Sequence, residues 1–337
     1  RIWARAPRLP PIDAPWLVRA GLVATGLLTL GMALPLAALW PLWRFAAGVA
    51  SALVFVYTWG WCLAQLAHRE ADALGGLIYT GPGAGIVVSG LAASAMVPWH
   101  WPAAAGWAVF GVLAFALTAW VWRTFSGGLA PAAAHAEGSA VTTAPRVGRA
   151  EIGVLAFAYG LAGLGYIVTA TFLPVIARAA MPGSPWLDLF WPVFGAGVVI
   201  GALLATRLRA GGDRRALLAG CYVAQAFGIG LGIASPGLAG FALGSLLLGI
   251  PFTAITLFAM QEVRRLRPLA AASTMGLMTA MYGLGQIAGP PLVAALLKRS
   301  ADAGAGFTLA LEAAIGALLF GALLYEGLRR AHPLVRG

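Results

Sequence analysis

From residue 19 onward the chain is a succession of apolar runs cut by short polar, proline-rich or arginine-bearing breaks. Each run is long enough to cross, as a helix, the roughly 30 Å hydrocarbon core of a bilayer. Ten spans are expected, over residues 19–38, 42–66, 74–97, 103–123, 152–177, 186–206, 216–234, 238–261, 270–297 and 306–328. Helices are the form that fits, because barrel strands would be about ten residues long and alternate in polarity, whereas these runs are apolar on every side. With 61% hydrophobic and only 10% charged residues, the chain cannot be a soluble domain. The start, "RIWARAPRLPP", is basic and proline-rich, with no short apolar stretch before a cleavage site, so no signal peptide is read there.

Arginine and lysine fall into alternate breaks. One set of loops carries Arg1, Arg5, Arg8 and Arg19, then Arg69, then Arg123, Arg146 and Arg149, then Arg207, Arg209, Arg214 and Arg215. It continues with Arg264, Arg265 and Arg267 and closes with Arg329, Arg330 and Arg336, while the other set holds only Arg178, Lys298 and Arg299. Basic residues in short loops stay cytoplasmic, so a multi-pass protein of the bacterial inner membrane with both termini inside is expected. The net charge of +11 then belongs to a basic face beside anionic lipid and implies no nucleic acid. Cys62 and Cys221 fall inside spans, and His68, His100, His135 and His332 in loops or the tail. Neither set has a metal-ligand spacing, so no metal and no cofactor is expected.

The stretch from Ser126 to Glu151 is long, polar and rich in Ala, Gly and Pro, and reads as a linker over residues 126–151. It separates a transmembrane bundle at 1–125, with four spans, from one at 152–330, with six. The halves are related. Asp13 in "LPPIDAPWLVRAG" matches Asp213 in "RAGGDRRALLAG", and Gly81-Pro82 matches Gly289-Pro290, at offsets of 200 and 208 residues. Such offsets mark a duplicated unit, in which the counterparts of residues 152–206 would lie before Arg1. About two further N-terminal helices are therefore expected, completing a 6+6 repeat of the kind transporters use.

These residues resemble the major facilitator superfamily, and within it the YbfB/YjiJ-like branch. "AYGLAGLGYIVTATFLPVIARAAMPGSPWLDLFWPVFGAGVVIGALLATRL", residues 158–208, is similar to the branch's seventh and eighth helices. "WPLWRFAAGVASA" at 40–52 resembles the fourth-helix signature, an Arg (Arg44) with a Gly (Gly48) four residues on. "GPGAG" over Gly81 to Gly85 looks like the fifth-helix signature frequent in proton antiporters, although Gly76 stands five residues before Gly81 where four is usual. Gly285 to Pro290 looks like its eleventh-helix equivalent, and Asp213, Arg214 and Arg215 resemble part of the cytoplasmic loop signature, of which Asp13 is a trace. The resemblance implies an all-α, major-facilitator-type membrane bundle, with about ten helices present of twelve. It also implies secondary active transport of a small solute by alternating access, with protons as the candidate coupling ion.

Transport needs a polar cavity between helices that can pack and move. The candidate cavity lining is Tyr57, Tyr79, Thr80, Tyr166, Thr169, Thr171, Gln225, Tyr282 and Gln286, all polar or amphipathic groups inside spans; hydrogen bonding within or between helices is the alternative for each. Gly160, Gly163, Gly165, Gly197, Gly201, Gly285 and Gly289 would let helices approach, and Pro82, Pro174, Pro251 and Pro290 would kink them. Arg44 is the candidate substrate or coupling charge, or else an interfacial anchor snorkelling beside Trp40 and Trp43. Two other function classes are weighed: a truncated, non-transporting remnant, and an integral-membrane enzyme. The enzyme would need a metal motif, a Ser paired with a membrane His or a phosphate loop, and the sequence carries none of these.

Overall fold

A computed structural model describes residues 14–69, 77–126, 148–184, 186–207, 213–300 and 302–333. The described residues form ten α-helices: α1 (Ala14–Gly31), α2 (Trp40–His68), α3 (Thr80–Met96), α4 (Ala103–Val121), α5 (Arg149–Ala180), α6 (Phe190–Arg207), α7 (Arg214–Ala234), α8 (Leu238–Leu266), α9 (Ala271–Arg299) and α10 (Ala303–Ala331). Nine apolar segments among them are long enough to cross a membrane, and α1 contributes a shorter apolar helix. Large apolar side chains such as Phe45, Trp120 and Phe227 point outward, which lipid tolerates and water does not.

Helix α1 departs from expectation. The apolar run continues to residue 38, but the helix stops at Gly31 and its end tightens through Leu34 N–H donating to the Gly31 carbonyl at 3.0 Å. Pro35 explains the stop, because it has no N–H to donate and its ring keeps the preceding residue out of the α region. At the other end α1 begins earlier than expected, with Pro15 in its first turn, where the missing N–H is harmless. The same logic corrects the kink expected at Pro82. This residue lies in the first turn of α3, whereas Pro251, Pro290 and Pro291 lie within α8 and α9.

Packing divides the chain into two compact units, Arg1–Ile78 with Ala95–Ser139, and Tyr79–Ser94 with Ala140–Gly337. In the first, α1 packs on α2 and α4. Its Gly111 lies against Leu30, and Arg19 donates to the Trp122 carbonyl at 2.8 Å while its guanidinium lies 4.8 Å from that indole.

In the second unit, α7 packs on α8 and α10, and α5 on α9 and α10. Tyr222 and Tyr325 are fully buried in its core, edge to face at 5.2 Å, and the Tyr222 hydroxyl donates to the Ala158 carbonyl at 2.8 Å. Helix α3 belongs to this unit through a crossing with α6. A Cβ on Gly83 would stand 2.9 Å from the Gly195 carbonyl, and one on Gly195 would stand 3.0 Å from the Gly83 carbonyl. Only hydrogen fits on both sides, so these glycines are what let the two backbones touch.

Candidate functional site

Four helices of the second unit converge on a wall of aromatic side chains. Tyr159 and Tyr166, seven residues apart on α5, lie on one helical face. Helix α6 supplies Trp191 and Phe194 and α8 supplies Phe252 and Thr256, each pair three or four residues apart and so on one face, and α9 supplies Tyr282. Tyr166 stands 4.6 Å from Phe252 and 6.0 Å from Phe194, and Phe194 lies 5.1 Å from Trp191 and 5.6 Å from Phe252, ring centre to ring centre. Tyr159 lies 5.0 Å from Tyr282 and its hydroxyl donates to Thr256 Oγ1 at 3.1 Å. Phe194 and Tyr159 are buried, while Tyr166, Trp191, Phe252, Tyr282 and Gln286 are half-buried. Such a wall offers π faces and a few hydroxyls to an organic molecule and provides no fixed charge.

The structure brings Tyr166 and Tyr282 to this wall, together with Tyr159, which sequence reasoning missed, and half-buried Gln286 lies about one turn beyond Tyr282 along α9. The signal for Tyr159 was present as a tyrosine two turns before Tyr166 in an otherwise apolar run. Tyr79 is buried at the start of the same unit, followed by half-buried Thr80. Thr169 is buried and its hydroxyl bonds back to the Gly165 carbonyl at 2.9 Å, whereas Thr171 is exposed. Gln225 is buried on α7, where its amide donates to the Leu248 carbonyl of α8 at 3.2 Å, an inter-helix tie. Tyr57 is half-buried on α2 in the first unit. Arg44 is exposed on the same helix, its guanidinium 4.9 Å from the Trp107 ring of α4, a cation–π contact.

Of the signature glycines, Gly48, Gly81 and Gly85 face open space, and Gly83, between the last two, makes the close contact of α3. Gly285 meets the Gly160 carbonyl and Gly289 the Ile167 side chain, both across the contact of α9 with α5. Asp13 and the side chain of Pro174 lie outside the described residues.

A second constellation sits where α5, α7, α8 and α10 meet at their arginine-rich ends. Asp213 caps α7 by accepting from the Arg215 backbone N–H at 3.0 Å, a placement Asp favours because the first N–H groups of a helix lack partners. Both Asp213 oxygens also accept from the Arg215 guanidinium, at 3.0 and 2.9 Å. Arg215, 1% exposed, further donates to the carbonyls of Leu328 at 3.0 Å and His332 at 2.6 Å, and lies 3.8 Å from Glu151 and 3.6 Å from Glu262. Glu262 is itself buried and takes a second cation, Arg265, with Nε 2.9 Å from Oε2. Three acids, from α5, the cap of α7 and α8, thus surround one guanidinium, and Arg265 backs Glu262.

Within this cluster burial alone raises the Asp213 pKa, but the hydrogen bonds and charge of Arg215 outweigh it and hold the carboxyl below the ordinary aspartate value. The unfolded chain then binds the proton more readily than the folded one, so Asp213 contributes stability above the ordinary range and loses it as pH falls through its depressed pKa. Melting temperature followed from pH 7 into that range should show an acid-side decline that Asp213→Asn removes, with the variant already less stable at pH 7. An unchanged decline in the variant would assign the acid sensitivity to other groups.

The model of one protein family, described as "Uncharacterised MFS-type transporter YbfB", matches residues 6–326. No curated protein matches the chain.

Proposed function

Because this chain belongs to the YbfB-like family of MFS-type transporters, we propose that it is a secondary active carrier of a small organic solute, working by alternating access and coupled to protons. The family is one of membrane transporters rather than enzymes, so a small-molecule substrate and a lipid bilayer are its setting. The aromatic wall of Tyr159, Tyr166, Phe194, Phe252 and Tyr282 is the observation that carries the reading of the solute. Apolar and aromatic walls with a few hydroxyls bind molecules that have a flat or greasy part and a hydrogen-bonding group. Transport would then proceed by relative movement of two helical bundles, in an inner membrane with both termini cytoplasmic. The alternation of arginine-rich breaks supports that orientation.

The wall predicts a measurable effect. Small solutes screened by thermal shift on the purified protein should include compounds whose binding weakens about tenfold in Tyr166→Ala and Tyr282→Ala, the loss of roughly one aromatic contact with its buried area. The same compounds should be taken up into proteoliposomes under an imposed pH gradient. Unchanged affinity in both variants would remove the wall from the substrate path. Arg44→Ala addresses the candidate charge: lost transport makes Arg44 part of coupling or substrate binding, and undiminished transport makes it an anchor held by Trp107.

A further inference from the structure

On the face of α8 opposite Phe252 and Thr256 lies a groove of about 320 Å³ between α6, α7 and α8. Its walls are apolar and built largely from small residues, with Leu204, Leu217, Gly220, Ala224, Ile250 and Phe258 among them. It opens outward, since Leu204 is 50% exposed and Gly220 is exposed. Within a membrane-spanning segment such an opening faces hydrocarbon.

The charges at one end of this groove are arranged for a headgroup. On α6, Gly201 and Leu204 form a stripe that Arg207 continues, three residues on. On α7, Leu217, Cys221 and Ala224 form a stripe that Arg214 begins, three residues before Leu217. On α8 the stripe through Ala254 and Phe258 runs on to Gln261, whose side-chain oxygen accepts from Arg214 Nε at 3.1 Å and so orients that guanidinium. The nearest acids are already engaged, Asp213 by Arg215, and Glu262 by Arg215 and Arg265. Among the described residues Arg207 and Arg214 form no ion pair.

We infer that this groove is a binding site for an anionic phospholipid of the leaflet facing the arginine-rich helix ends, its acyl chain lying along α6, α7 and α8 and its phosphate between Arg207 and Arg214. An apolar slot alone would accept any lipid chain. Two arginines without carboxylate partners select a net negative headgroup, for which juxtamembrane cations supply the attraction. The site does not depend on the transport reading.

Native mass spectrometry of the protein released from vesicles of equal phosphatidylcholine and phosphatidylglycerol tests it. Phosphatidylglycerol should be retained roughly thirtyfold over phosphatidylcholine, an excess corresponding to the combined pull of the two arginines. The double variant R207Q/R214Q should abolish that preference, while Arg330→Gln, at the exposed end of α10, should keep it. Gly220→Leu, whose side chain would enter open space rather than clash, should lower retention of both lipids by filling the slot. Equal retention of the two lipids by the parent protein, or an undiminished preference in the double variant, would overturn the proposal. So would protein dimers that Gly220→Leu dissociates, which would make a second copy the occupant.

Discussion

Replacing Arg215 by Met should destabilise the protein by about 3–5 kcal/mol, the scale expected when one partner of a buried ionic cluster is removed. The size follows from what is left behind. Among the described residues Glu151, Asp213 and Glu262 would share one region with Arg265 as the close arginine and His332 4.0 Å from Glu151, and the His332 carbonyl would lose the guanidinium donor while the Leu328 carbonyl would keep only the His332 N–H. Arg215→Lys should recover only part of the loss, since an ammonium cannot span both Asp213 oxygens and two carbonyls as the planar guanidinium does. Unfolding of the purified protein in detergent, followed by intrinsic fluorescence, gives the comparison. A loss under about 1 kcal/mol for Arg215→Met would mean that the cluster contributes little net stability. Recovery on adding Asp213→Asn, Glu151→Gln and Glu262→Gln would show that stranded charge, rather than lost packing, is the cause.

The second large effect is expected at Gly163→Ala. A Cβ there would overlap the Tyr282 carbonyl of α9, and the neighbouring Gly160 leaves only 2.9 Å between a new Cβ and the Met281 carbonyl. Both obstacles are backbone, so the methyl cannot be accommodated by a side-chain rotation, and α5 and α9 must part. Overpacking of this kind destabilises by about 1–3 kcal/mol. The displacement also carries Tyr282 away from Tyr159, now 5.0 Å apart, so solute binding should weaken along with stability. Gly153→Ala on the same helix meets nothing within 4 Å and serves as the reference. It should be neutral or slightly stabilising, because Ala loses less backbone entropy in a helix than Gly. Equal melting temperatures for the two variants would mean that the crossing of α5 with α9 is looser than its geometry.

Much of the fold was legible in the residues. The span expected at 103–123 is α4 at Ala103–Val121, and that expected at 238–261 is α8 at Leu238–Leu266, because length and polarity of an apolar run are local quantities. The ends were less legible. Pro35 cut α1 short inside a continuous apolar run, and Leu266 extended α8 beyond Glu262, whose charge reads as a helix end until its partners are known.

The candidate site was legible in part. Tyr166, Tyr282 and Gln286 were found as polar groups in spans, but nothing in their spacing says that residues of α5, α6, α8 and α9 share one wall. Nor does spacing distinguish them from Gln225, which has the same chemistry and ties α7 to α8. The glycines show the same limit. Gly81 and Gly85, at the ends of the GPGAG stretch, face open space, whereas Gly83 in its middle makes the contact with Gly195, and the pattern alone does not say which of the three does so.

What the sequence alone determined is that this is a polytopic helical membrane protein resembling the major facilitator superfamily, a membership the family match over residues 6–326 establishes. Twenty-odd apolar residues in lipid must satisfy their own backbone hydrogen bonds, and the helix is the local way to do so. What only the tertiary structure decided is which polar groups meet. Arg215 among three carboxylates, Tyr159 against Tyr282, and Arg214 against Gln261 all depend on pairings between helices apart in the chain. In a chain apolar on nearly every face, hydrophobicity does not select the face that turns inward; small residues and polar contacts do.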